Sequence, residues 1–264
     1  MSRPVSLAMY EPGGLANAQL WDGLRAHLDE EGFDGLPADL TIPDDYEAHW
    51  RDPNLLLAQT CGYPLRTILA GGVRYLGTPV YDVPGTDGPL YRSALVVRAD
   101  DPADELADLR GRRAAYNSVT SQSGYNALRD IVAPLACDGR FFGEVIATGG
   151  HAKSLRAVIA DKADIAAIDA VSLALEPAEI RNQIKIIGWS NAVPGLPFIT
   201  APSASNDDVK QLNRAITHAL EDPMLDGPRA YLKLAGYEIL PESAYDTVLS
   251  MERRAIDAGY PLLA

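Results

Sequence analysis

Short apolar runs alternate along this chain with stretches in which leucine, isoleucine or valine recurs every three or four residues. The first pattern is that of a buried strand and the second that of an amphipathic helix. Residues 5–9 predict an opening strand, broken by Tyr10-Glu11-Pro12-Gly13-Gly14. Residues 15–31 predict a helix, with Leu20, Leu24 and Leu28 on one face. Residues 40–42 and 55–58 read as short strands, 46–51 as a brief helix, and 64–70 as helical with Pro64 in the first turn. A strand over 73–81 then leads into the turn-rich stretch 82–89. The alternation starts again with strands at 91–98, 114–116, 144–147, 165–168 and 184–188. Between them fall helices at 104–109, 124–135, 152–161 and 171–175. A strand over 198–201 precedes a helix over 206–220 whose Val209, Leu212, Ile216 and Leu220 share a face. The tail from 229 to 256 reads as mostly helical.

Alternating strands and helices predict an α/β protein with mainly parallel sheets and helices on both faces. The two blocks predict two lobes, residues 1–91 plus 192–264 and residues 92–191, joined by two crossing strands. The C-terminal helices have no strand block of their own and are expected to cover the first lobe. In open α/β sheets ligands sit beyond the carboxyl ends of strands. The turns at Tyr10, 61–63, 117–123, 148–151 and Asp169 are therefore expected to line a cleft between the lobes.

The stretch from Arg112 to Ile131, RRAAYNSVTSQSGYNALRDI, carries the most chemistry. A strand leads into a turn with Ser118, Thr120, Ser121 and Ser123, and a helix follows. A helix start presents unpaired backbone N–H groups and partial positive charge. Hydroxyls added there suit a phosphate, phosphonate, sulfonate or carboxylate without a lysine or arginine. The plainer alternative is that Ser121 only caps its helix. His151 follows Gly149-Gly150, which permits close backbone approach, and stands just before another helix, where a neutral imidazole is favoured. Asp169 ends the apolar run IAAID and either faces a ligand or caps the next helix. Tyr10 and Tyr63 follow strands, where ligand contact and ordinary packing are both open.

Composition narrows the partners. With 264 residues, 47% of them hydrophobic, the chain can bury one large core or two smaller ones. A net charge of −13 argues against nucleic acid as the main partner, because phosphate neutralisation needs clustered Lys and Arg. No run of 18 apolar residues is present, so no membrane insertion is expected. Cys61 and Cys137 fit no zinc or redox spacing and are expected to be free thiols. The four histidines form no metal-ligand pattern and no nucleotide-type glycine loop occurs, so no cofactor is expected. The opening residues hold no apolar signal core. The expectation is a cytoplasmic protein, or a periplasmic one from which an export signal has been removed.

NSVTSQSGY (117–125) followed by ATGGHAKSLRAVIADKADIAAIDA (147–170), with the lead-in LRGRRAAY (109–116), resembles the phosphate/phosphonate-type solute-binding proteins of ABC importers. These have the type II periplasmic-binding-protein fold, and the likeness is strongest over about 90–201. The resemblance implies that Ser121 and Ser123, in the motif opened by Asn117, hold an anion, and that His151 donates to it. It also implies that Asp169 reads a donor on the ligand's organic part and that Tyr63 contributes from the opposite lobe. Gln122 stands where the family usually has threonine, so an amide replaces a hydroxyl. Residues 189–197 lack the second acid that aminophosphonate binders tend to carry. The resemblance therefore implies a non-catalytic binder of a small anion that closes its lobes on the ligand, with a transporter permease as partner. The alternative is a cytoplasmic enzyme on the same fold, like those of menaquinone and thiamine-precursor biosynthesis, with His151 and Asp169 as acid and base and Ser121 orienting substrate.

Overall fold

The computed structural model describes residues 3–10 and 14–264. The Glu11–Gly13 part of the expected first turn lies outside the described residues. Two units emerge: Met1–Asp82 with Pro194–Ala244, and Val83–Val193 with Tyr245–Ala264.

The first unit is built on a five-stranded sheet in the order Val5–Ser6, Leu57–Gln59, Phe198–Thr200, Arg74–Tyr81, Leu234–Glu238. The helix Leu15–Glu30 buries Leu20, Trp21, Leu24 and Leu28. They meet Leu212, Ile216 and Leu220 of the helix Asn206–Glu221 in one core with Leu57 and Leu76. The leucine spacing read from the sequence is thus the packing face. Ser205 starts the second helix with a reciprocal capping box to Asp208. Two expectations fail here. Residues 40–42 form no strand; Thr41 donates a single backbone bond to Val5, and its surroundings are exposed. The tail is not continuous helix: Leu234–Glu238 is a strand, antiparallel to Arg74–Tyr81.

The second unit has its own sheet, ordered Ile184–Trp189, Ser93–Arg98, Ile165–Asp169, Arg113–Tyr116, Glu144–Ala147. Arg113–Tyr116 pairs in parallel with both neighbours, whereas Ser93–Arg98 is antiparallel to both of its own. Among the described residues of the first unit only Val5–Ser6 and Leu57–Gln59 are parallel. The sheets are therefore mixed, not mainly parallel. A helical crossover obliges the strands it joins to be parallel, but Ser93–Arg98 and Phe198–Thr200 enter their sheets without one.

The C-terminal segment corrects the expected boundaries. The helix Asp246–Asp257 packs on the second unit instead of the first. Its Ala255, with Tyr260 and Leu263 beyond it, joins the core of Tyr125, Leu128 and Val132, and its buried Met251 accepts from Gln122 of that unit. The Phe141 and Phe142 amides both donate to the Ala264 carbonyl, at 2.8 and 2.9 Å. The apolar stripe at 248, 251 and 255 is legible in sequence, but which face it seeks is not. Among the described residues no helix is long and apolar enough to cross a membrane. Neither Cys61 nor Cys137 forms a disulfide.

Candidate functional site

The strand Arg113–Tyr116 delivers the chain into the hydroxyl-rich turn, and Ser121 begins a helix. Ser121 Oγ accepts from the Gly124 amide at 3.0 Å, so it is a true N-cap. The first turn, Gln122–Asn126, is a π-helical turn that continues as the α-helix Ala127–Val132. Such turns are rare and concentrate at functional sites. The wide turn separates two neighbouring side chains. Gln122 is fully buried, accepting from Asn126 Nδ2 at 2.8 Å and donating to Met251 Sδ. Asn126 in turn donates to the Val248 carbonyl and accepts from Arg129, which also reaches the Pro261 carbonyl. Ser123 turns the other way, and its Oγ lies 2.7 Å from His151 Nε2.

His151 is set by a second strand-to-helix turn. Thr148 Oγ1 bonds Ser154 Oγ at 2.6 Å, and the Thr148 amide bonds the Tyr116 carbonyl at 2.8 Å. The Gly149 amide donates to the Asn117 carbonyl at 3.0 Å, tying the two turns together. Gly149 has φ +84°, a left-handed conformation that favours glycine. The helix His151–Ile159 starts directly after Gly150.

Gly124 closes the cluster. A Cβ there would stand 2.9 Å from Asn117 Cγ and 3.3 Å from His151 Cε1. Glycine thus lets Asn117 and the imidazole lie against the helix start. The need for a bare Cα at Gly124 becomes visible only in the packing.

The His151 ring is half-buried overall, yet both nitrogens face inward: Nε2 meets Ser123, and Nδ1 is buried without a partner at hydrogen-bond geometry. Burial lowers the imidazole pKa from 6.5 to about 4, against a smaller opposing effect of the Ala167 backbone. The ring is therefore neutral at pH 7. Its effect on stability has a definite sign. Above pH 6.5 neither the folded nor the unfolded state holds the extra proton. Below it the unfolded chain takes up a proton that the folded state refuses until about pH 4. Stability then falls by up to roughly 3 kcal/mol across that window. Urea denaturation at pH 7 and pH 4.5 should show a smaller loss for His151→Gln than for the parent chain, since all carboxylate contributions are common to both.

The other residues singled out by sequence fall differently. Asp169 is buried and accepts from the Val171 and Ser172 amides at 2.8 and 2.9 Å, the geometry of a helix cap. Gln122 directs its side chain into the core. Tyr10 and Tyr63 belong to the first unit. Tyr10 is buried edge-to-face on Tyr81, with centroids 5.1 Å apart. Tyr63 is half-buried in the helix Gly62–Arg66. Among the described residues no group of three His, Cys, Asp or Glu side chains is arranged to hold a metal ion.

A family model for the periplasmic substrate-binding protein of phosphonate ABC transporters matches residues 15–238. The chain belongs to that family. It is accordingly a solute-binding protein of the phosphonate ABC-transporter type, a class that works with a small ligand and a transporter. No curated protein matches the sequence. Among solved structures, this family member is similar to a binding-protein component of an ABC phosphonate transporter from Pseudomonas aeruginosa, with 17% identity and a TM-score of 0.77 over 97% of this chain and 88% of that one. PhnD1 from Prochlorococcus marinus, in complex with methylphosphonate, is 12% identical with a TM-score of 0.76, covering 96% and 97%. MatC from Rhodopseudomonas palustris, with bound malate, is 14% identical with a TM-score of 0.62, covering 98% of each chain. At these identities the likeness establishes the two-lobed periplasmic-binding-protein fold.

Proposed function

We propose that this protein binds a small oxyanion of the phosphonate, phosphate, sulfonate or carboxylate type without transforming it, and delivers it to an ABC permease from the periplasmic side. The observation that carries this reading is the 2.7 Å contact of Ser123 Oγ with His151 Nε2, which joins the starts of two separate helices. Backbone N–H groups at the first helix start, the Ser121 hydroxyl, Ser123, His151 and Asn117 are the assigned contacts. Oriented dipoles held by the fold attract charge without the desolvation cost of a buried cation. Gln122 contributes its backbone N–H only. Asp169, already bonded to two amides, shapes the strand end. The methylphosphonate and malate bound by two similar proteins are consistent with this class of ligand.

The enzyme alternative needs His151 and Asp169 as an acid–base pair. Burial has weakened His151 as a base, and the Asp169 carboxylate serves as a helix cap. Both features favour binding without chemistry. The test is calorimetric titration with methylphosphonate, phosphate, methanesulfonate and acetate, supported by thermal unfolding. At a hundredfold excess over Kd a bound ligand should add about 2.7 kcal/mol of stability. Ser123→Ala and His151→Ala should each weaken binding by roughly 10- to 100-fold. If no oxyanion at millimolar concentration gives heat or a thermal shift, the reading fails.

A further inference from the structure

We infer that the C-terminal segment Tyr245–Ala264 is a strut that holds the anion-binding turn in its wide register, with Asn126, Arg129 and Met251 as positioning residues for ligand affinity. This rests on the anion-binding reading above and extends it to a part of the chain remote in sequence. The turn closes with the Asn126 amide donating to the Ser121 carbonyl at 3.0 Å, and the Ala127 amide returns to the Gln122 carbonyl. Both bonds reach back five residues, where an α-helix reaches back four. A π-helical turn is the rarer geometry, and unusual backbone persists where surrounding contacts over-determine it.

Here those contacts come from the C-terminal segment. Asn126 is fully buried and commits both side-chain N–H groups, one to Gln122 Oε1 at 2.8 Å and one to the Val248 carbonyl at 2.9 Å. Its oxygen accepts from Arg129 at 2.7 Å. Arg129 is buried as well, donates to the Pro261 carbonyl at 2.8 Å and lies 3.5 Å from Glu252 Oε1. Its guanidinium stands over the Tyr125 ring, whose hydroxyl accepts from the Leu263 amide at 3.2 Å. Gln122 donates to Met251 Sδ at 3.1 Å. Buried polar groups that lose a partner are costly, so the network resists any rotation of the turn. What it fixes is direction. In an α-helical register the Ser121 carbonyl would accept from the Tyr125 amide instead, and the side chains at the helix start would turn by about 100° relative to the helix that follows. Ser123 would leave its 2.7 Å contact with His151, and the Gln122 and Ser123 amides would swing with it. The strut therefore sets affinity through the aim of the turn, with no need to touch the ligand.

Variants of the full chain, titrated calorimetrically with methylphosphonate, phosphate, methanesulfonate and acetate and followed by thermal unfolding and backbone amide NMR, test this. Met251→Leu keeps the volume and removes the sulfur acceptor. It should weaken every anion that the parent binds by roughly 3- to 10-fold and move the amide resonances of residues 121–127. Asn126→Leu, which removes the hub, should weaken binding by roughly 10- to 100-fold. Val97→Ala opens a cavity in the same core but on the strand Ser93–Arg98, outside the hydrogen-bonded network. It should lower Tm by about 4–8 °C, yet bind within about twofold of the parent and leave those resonances in place. Met251→Leu affinity within about twofold of the parent overturns the inference, as does an equal loss in Val97→Ala, or a loss in Met251→Leu without movement of those resonances. Each of these results leaves the anion-binding function standing. Should Asn126→Leu fail to fold, Met251→Leu and Val97→Ala decide. A parent chain that binds none of the four anions overturns both.

Discussion

Gly124→Ala is expected to remove most ligand affinity while leaving the protein folded. In an ordinary helix this exchange stabilises by about 0.5–1 kcal/mol, because alanine loses less backbone entropy. Here the added methyl would crowd Asn117 Cγ and the His151 ring edge. Asn117 is tethered by its carbonyl to the Gly149 amide, and His151 by Ser123, so neither retreats without opening the cluster. Lengthening the Ser123–His151 bond and displacing the helix start should cost on the order of 3 kcal/mol of binding, about two powers of ten in Kd. The melting temperature should stay within a few degrees of the parent, since the helix gain offsets the local clash. Calorimetric titration with methylphosphonate alongside thermal unfolding measures both. Parent-like affinity in this variant would mean that the Asn117–Gly124–His151 contact is no part of the site.

Tyr260→Ala is expected to have the largest effect on stability, about 3–5 kcal/mol. Tyr260 is fully buried with Leu128, Val132 and Phe141. Its hydroxyl donates to the Ala264 carbonyl and accepts from the Ala264 amide, and burial pushes its pKa up to about 12. Truncation leaves a large cavity and strips the Ala264 amide of its partner, while the Ala264 carbonyl keeps the Phe141 and Phe142 amides. Tyr260→Phe, which keeps the packing, should cost only about 1 kcal/mol. Native-state hydrogen exchange should report faster opening across residues 83–193 and 245–264, the unit that holds this side chain. Faster exchange confined to residues 3–82 would contradict the assignment of the C-terminal segment to the second unit.

Sequence pattern alone established the alternation of strands and helices, the leucine face at 20, 24 and 28, and the helix starts at Ser121 and His151. These are local properties: a repeat of three or four residues, a capping hydroxyl and a pair of glycines act over one or two turns. The family resemblance, not the pattern, brought Ser121, Ser123 and His151 forward as one chemical group. The pattern left open whether Asp169 faces a ligand or caps a helix, and gave no means of seeing that Gln122 and Ser123, adjacent in the chain, point to opposite sides of a π-helical turn. Tertiary structure decided those matters, together with strand direction in the mixed sheets, the pairing of Leu234–Glu238 with Arg74–Tyr81, and the docking of Asp246–Asp257 on the second unit. The reason is physical. An apolar stripe specifies that a face will be buried but not against what, and a polar side chain finds its partner by position in space, 28 residues away for Ser123 and His151 and 129 for Gln122 and Met251.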